Sequence, residues 1–135
     1  MSAHATLIVC DDIRFEANGK FIVIGGYTGD IAIAASRDYA PQMLFLFSVD
    51  SPLVGFPRRM EFSVTLPGHP PDISIHDVSD FVADPAIPRW TYRHIVHVRN
   101  RALYPGKIAA RVICDTQVID VFAPNVSISL PEISD

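Results

Sequence analysis

Residues Leu7 to Ile33 read LIVCDDIRFEANGKFIVIGGYTGDIAI, two apolar runs on either side of Asn18-Gly19. Asn-Gly is the dipeptide that most readily takes the positive φ angles of a two-residue type I′ turn. The segment therefore starts the chain as antiparallel β structure. A two-residue turn sets Phe15 opposite Ile22 and Ile13 opposite Ile24. Alternation then gives Leu7, Val9, Ile13, Phe15, Ile22 and Ile24 one common, core-facing side. Asp11 falls on that side too, opposite Gly26. Its carboxylate must be hydrogen-bonded there, or the strand must bulge at Asp11-Asp12 and turn it outward.

The rest of the chain continues the pattern. Strands are expected near 5–15, 20–27, 30–34, 42–50, 58–66, 72–78, 91–99, 107–114 and 117–122, with a last edge at 126–130. No segment has helical periodicity. Eleven prolines fall mostly between the apolar runs, as turns between short strands require. The expected fold is all-β: a single antiparallel β-sandwich of about eight to nine strands over residues 1–135, immunoglobulin-like or C2-like. At 135 residues, 49% of them apolar, the chain can bury one continuous core.

Four strands can be placed in more detail. In 59–66, Met60, Phe62, Val64 and Leu66 point inward and Arg59, Glu61, Ser63 and Thr65 outward. A turn at Asp115-Thr116 pairs Val112 with Ile119 and Ala110 with Val121, and sets Arg111 against Asp120 on the other face. Strand 43–49, MLFLFSV, is apolar in both phases, so it is central or covered by a loop or a partner.

Charge is uneven. No acidic residue lies between Asp84 and Asp115, a stretch holding Arg89, Arg93, Arg99, Arg101, Lys107 and Arg111 with His94 and His97. Asp72, Asp77, Asp80 and Asp84 precede it. The two segments are expected to neutralise each other across strands. The sharper alternative is a basic face for a partner, nucleic acid included, with Trp90 and Tyr92 beside it. A net charge of −4 argues against a globally nucleic-acid-binding surface.

Two cysteines, Cys10 and Cys114, sit in apolar runs without metal-site spacing, and the opening MSAHATLIVCDD lacks a basic region and a long apolar run. With no segment long enough to span a bilayer, the expectation is a cytoplasmic protein with free thiols and no membrane partner.

The opening hairpin resembles a family of small bacterial and phage-type proteins of unknown function. Its pattern is Cys or Glu, Asp, Asp or Asn, a hydrophobic residue and Arg, then Gly-Lys, then Ile-Gly-hydrophobic-Tyr. The matching residues are Cys10, Asp11, Asp12, Ile13 and Arg14, then Gly19 and Lys20, then Ile24, Gly25 and Tyr27, within the first quarter of the chain. The closing PGKIAARVICDTQVIDVF, from Pro105-Gly106 onward, is similar to immunoglobulin-like and C2-like sandwiches. These resemblances imply a sandwich and transfer no catalytic residue.

Site chemistry is sparse. Asp11, Asp12 and Asp30 could approach one another, but they lie in strand runs rather than a carboxylate loop, so structural use is preferred to calcium. His94 is in phase with Tyr92, Val96 and Val98 and so points inward. His97 takes the other face with Arg93 and Arg99, so the two cannot share an ion. His69, in PGHPP, is expected in solvent. There is no Gly-x-Ser-x-Gly elbow, phosphate loop or dinucleotide fingerprint. No catalytic residue, cofactor or metal is assigned.

Two loops are unusually apolar: SPLVGFP at 51–57 and SDFVADPAIPRW at 79–90. Leu53, Val54, Phe56, Phe81, Ile87 and Trp90 need a cover, from another chain or from the loops folding back on their own domain. The favoured reading is a non-enzymatic protein-interaction or structural module, self-associating or bound to a protein partner. The alternative is a small-ligand binder or enzyme with a polar pocket around His94, Asp77 or Asp11.

Overall fold

A computed structural model describes residues 3–17, 20–27, 29–33, 36–53, 56–80 and 84–128. Twelve strands run through them: β1 His4–Cys10, β2 Asp12–Phe15, β3 Phe21–Ile24, β4 Ile31–Ile33, β5 Asp38–Pro52, β6 Arg59–Thr65, β7 Asp72–Asp77, β8 Arg89–Leu103, β9 Gly106–Lys107, β10 Ala109–Cys114, β11 Gln117–Val121 and β12 Asn125–Ile128. The fold is an all-β sandwich. More strands appear than the eight or nine expected, because breaks at Asp11 and Ile108 each cut one apolar run in two.

Two antiparallel sheets face each other. One has the order β1-β5-β8, the other β11-β10-β6-β7. Between them lies the main core of Met43, Phe45, Phe47 and Val49 from β5, Met60, Phe62 and Val64 from β6, Val96 and Val98 from β8, and Ala110, Val112 and Cys114 from β10. Phe47 and Phe62 meet across it with ring centroids 5.4 Å apart. The alternation of β6 is as the sequence requires: Met60, Phe62 and Val64 are fully buried and Leu66 nearly so. A third, small sheet of order β4-β12-β9 includes a parallel pair, β4 with β12.

The doubly apolar strand β5 is both central and covered. Its second phase, Leu44 and Leu46, forms a smaller cluster with Cys10 and Ile13, against which Phe21, Val23 and Ile95 pack. The cover is the chain's own β2–β3 hairpin, laid on the outer face of the β1-β5-β8 sheet.

That hairpin corrects the expected register. Ile13 pairs with Val23, Arg14 with Ile22 and Phe15 with Phe21, one residue away from the two-residue reading. The Glu16 N–H donates to the Lys20 carbonyl at 2.8 Å, so three residues separate the closing pair. The turn residues Asn18 and Gly19 themselves lie outside the described residues. The one-residue slip exchanges the faces of β3, while Ile13 and Phe15 keep their common phase in β2. Ile13 is buried, Phe21 and Val23 are half-buried, and Phe15, Ile22 and Ile24, expected in the core, are exposed.

Asp11 takes the outward bend and is exposed. Its N–H donates to the Ile24 carbonyl at 3.1 Å, and the Tyr27 N–H donates to the Val9 carbonyl at 2.9 Å. Gly25 links them with φ +66°, and any Cβ there would run into the Asp11 carboxylate. Glycine takes that positive φ without strain, whereas any other residue would also have to displace the Asp11 side chain.

The β10–β11 hairpin keeps its expected register, with Val112 opposite Ile119, Ala110 opposite Val121 and Arg111 opposite Asp120. Asp115 holds φ +54°, a conformation Asp tolerates better than most residues. Its Oδ1 accepts the N–H groups of Arg58 and Arg59 at 3.1 and 3.0 Å, tying the turn to the start of β6.

Side chains close both flanks of the sandwich. On the β1/β11 side the Gln117 amide exchanges hydrogen bonds with the Ala3 backbone at 3.3 and 3.4 Å. On the β7/β8 side Arg101 grips Asp72 with two bonds of 3.0 and 2.7 Å. That fork, partly shielded from water, is the strong form of an ion pair.

Candidate functional site

The two apolar loops meet at one end of the sandwich. The β5–β8 ladder runs out to Ser51 opposite Trp90 and Pro52 opposite Arg89. Beyond it the Leu53 N–H donates to the Pro88 carbonyl at 2.8 Å. Ser51, Pro52 and Pro57 are buried, Leu53 is half-buried, and Phe56 packs on the main core. Trp90 is half-buried and its indole N–H donates to the Ile87 carbonyl at 3.2 Å. Ile87 remains exposed. Much of this apolar surface therefore folds back on its own chain; Val54 and Phe81 lie outside the described residues.

The basic stretch divides in two. Arg89 pairs with Asp50, Arg101 with Asp72 and Arg111 with Asp120, at 3.0, 2.7 and 3.1 Å. Arg93, His97 and Arg99 instead share the outer phase of β8. Arg93 lies over the Phe21 ring, 5.3 Å from its centroid, and the Arg99 Nε–H donates to His97 Nε2 at 3.2 Å. Among the described residues neither Arg93 nor Arg99 forms an ion pair. Burial, and then Arg99, hold the His97 imidazole below its usual pKa, which favours the neutral ring that accepts this bond.

The densest convergence of polar side chains lies where β7 of one sheet approaches β8 of the other. His76 Nδ1 is 2.9 Å from the Tyr92 hydroxyl, and its Nε2 is 3.1 Å from the Ser74 hydroxyl. A neutral imidazole has one donor and one acceptor, so one hydroxyl donates to the ring and the other accepts from it. His94 sits against His76 with centroids 4.0 Å apart and against Phe62 at 4.7 Å. Its Nε2 is buried without a hydrogen-bond partner. Burial, and then the neighbouring His76, push its pKa down to about 4, so it is neutral at pH 7.

Ser74 and His76 have the separation of a nucleophile and its base. However, the second ring nitrogen of His76 is engaged by a phenol rather than a carboxylate, and the cluster faces Phe62. Open grooves lie elsewhere. One of about 520 Å³ runs over Ser63, Thr65, Lys107, Arg111 and Asp120, and one of about 400 Å³ lies beside Asp11, Tyr27 and Tyr39.

His94, Asp77 and Asp11, each a candidate centre for a polar pocket, are not brought together, and of the three only Asp11 borders one of these grooves. Asp77 points outward from β7, where bonds from Ser79 lower its carboxyl pKa. Asp11 lies at the β1–β2 bend and accepts from the Tyr27 hydroxyl at 3.4 Å. Asp12 accepts from the Ile13 N–H and Asp30 from the Asn125 N–H. These carboxylates are turn and corner anchors. Among the described residues, no three His, Cys, Asp or Glu side chains gather as a metal site. His69 is not simply solvated: it is half-buried, with Nε2 2.6 Å from the Ala102 carbonyl oxygen. Cys10 and Cys114 are free and buried, and burial raises the Cys114 thiol to about 11.

His76 is the residue that sequence reasoning missed as a partner of His94. They are on different sheets. The only signal was the inward phase that His76 shares with Ser74 in Asp72–Asp77. Among the described residues no helix is long and apolar enough to cross a membrane. Compared with family models, curated proteins and solved structures, the chain has no match.

Proposed function

We propose that this chain is a non-enzymatic β-sandwich module that binds a protein chain, its own kind included. One observation carries the reading: large apolar side chains stand on outward positions of strands and turns. Phe122 is 91% exposed and Phe15 69%, and Ile73, Ile75 and Val118 are each more than half exposed. Fully covering such a side chain contributes about 1.5–3 kcal/mol. Of the polar groups that converge, by contrast, Ser74, His76 and Tyr92 are bonded to one another between the two sheets. Two free, buried cysteines suit a reducing compartment such as the cytoplasm.

Photo-reactive amino acids placed at 15, 87 and 122, with Arg59 as an exposed polar control, test the reading in the native host. A discrete cross-linked protein from the apolar positions, absent from the control, is expected. No product, or the same smear from every position, sinks it.

A second reading is favoured by Arg93 and Arg99, which lie on one outer face with the neutral His97 between them and Phe21 beside them. Phe15, opposite Phe21 in the hairpin, adds an exposed ring. Basic groups beside aromatic rings suit a single-stranded nucleic acid. Fluorescence anisotropy with labelled oligonucleotides would show salt-sensitive binding that Arg93→Glu and Arg99→Glu remove. Binding unaffected by both substitutions, or none at low salt, excludes it.

A further inference from the structure

We infer that β7 is a self-pairing edge, and that two copies join through it as an antiparallel pair about an axis at Ser74. The inference rests on the protein-binding reading and names one surface and one occupant for it.

The four edges of the two main sheets are treated differently. β8 carries Arg89, Arg93, Arg99 and Arg101 along its length, and charges of this kind guard an edge against pairing. β1 receives the Tyr27 N–H at Val9, and the Gln117 amide of β11 is spent on Ala3. Among the described residues β7 has one hydrogen-bonded strand neighbour, β6. Pro70, Pro71 and Asp77 bound it, but its middle is Ile73-Ser74-Ile75, with both isoleucines outward and 55% and 53% exposed. Its inward phase is already held: Asp72 by Arg101, and Ser74 and His76 by each other and Tyr92. The strand is thus fixed in place with its outer edge unused.

The sequence of β7 is its own antiparallel complement. For two sheets to continue as one, opposed residues must share a face, so the axis passes through a residue rather than between two. With the axis at Ser74, Ile73 faces the partner's Ile75 and Ile75 faces the partner's Ile73. Four isoleucines then form one block on the outer surface. On the inner surface Asp72 and the partner's His76 lie opposite, each already bonded within its own chain, so no like charges meet. An axis at Ile75 instead sets Ile73 against the partner's Asp77, an apolar chain against a carboxylate. Complementarity therefore favours Ser74. A six-residue edge buries less than the roughly 1,200 Å² of a standard stable interface, so the association is concentration-dependent.

Sedimentation velocity over a concentration series of the full chain should show the mass rising from one chain to two. Ile73→Lys and Ile75→Lys, both at half-exposed positions, should each hold the mass at one chain while the circular dichroism spectrum and melting stay those of the parent. Under mild oxidation, Ile73→Cys mixed with Ile75→Cys should form a mixed disulfide faster than either alone, the native thiols being buried. A single-chain mass at every concentration overturns the inference, as does a dimer indifferent to both lysines. Faster self-linking of Ile75→Cys overturns the Ser74 axis. Loss of β7 pairing with discrete photo-cross-links still arising at 15 and 122 would remove this inference and leave the protein-binding reading standing.

Discussion

Two hairpins, β10–β11 and β2–β3, close on short turns and carry alternating apolar residues, yet they are held in opposite ways. The first is woven into a sheet. β10 is bonded to β11 on one side and to β6 on the other, with Val112 opposite both Ile119 and Phe62. The second is laid across a sheet, and among the described residues its strands pair only with each other. A woven hairpin has its register fixed by two ladders. A laid one has it fixed by which side chains find cover, here Ile13, Phe21 and Val23 over Leu44, Leu46 and Ile95. Backbone pairing dominates one case and side-chain burial the other.

The sharpest way to break this comparison is a pair of substitutions in β2. Ile13→Ala should cost about 2–4 kcal/mol, as deletion of a buried aliphatic side chain does. Phe15→Ala, two residues on, should change stability by less than about 0.5 kcal/mol, because the ring is mostly in water. Chemical denaturation measures both. Equal losses would mean that Phe15 is covered in solution and that burial on β2 is not confined to Ile13.

The corners come next. Gly25→Ala should cost more than about 1 kcal/mol, from its positive φ and the collision with Asp11. Asp115→Ala should cost about 1–2 kcal/mol, because two backbone N–H groups lose their acceptor. In hydrogen exchange the first should loosen β2 and β3 alone. The second should also loosen the start of β6, since a woven turn reports to its neighbours. Loosening of β6 by Gly25→Ala would collapse the distinction.

Acid sharpens the comparison from outside both hairpins. His94 is held at about 4 against its ordinary 6.5, so between these values the unfolded chain binds the extra proton. Stability is then constant above about pH 6.5 and falls as pH drops toward 4. The first amides to lose protection should be those of β7 and β8, with both hairpins following. His94→Phe should flatten that slope; an unchanged slope would assign it to other groups.

The smallest effect belongs to Arg111→Ala. The Arg111–Asp120 pair is solvent-exposed and contributes at most about 1 kcal/mol, with salt weakening it further. A larger loss would show that this ladder leans on side chains after all.

What could be read from the sequence follows the same division. The β6 alternation and the Asp115-Thr116 turn were legible because local phase and one tight turn suffice for a woven strand. Asn18-Gly19 pointed to a hairpin correctly but to the wrong loop length, and only contact with Leu44 and Leu46 decides between the two faces. That MLFLFSV needed a cover on both sides was also visible; that residues from β2 and β3 supply one was not. The His76–His94 contact was hidden because it depends on the approach of two different sheets.

The central position of β5 has a consequence for how the protein is made. During translation β1 emerges first, so Leu7 can soon find Phe47. The other edge must wait: Leu44 pairs with His97, about fifty residues later. Until β8 leaves the ribosome, a long, Leu- and Phe-rich strand has an unpaired margin of the kind that seeds aggregation. The β2–β3 hairpin is synthesised before β5 and can cover one of its faces as it appears. It shields that face through the interval without closing the margin. The order of elements along the chain thus gives this nascent sheet a partial chaperone of its own.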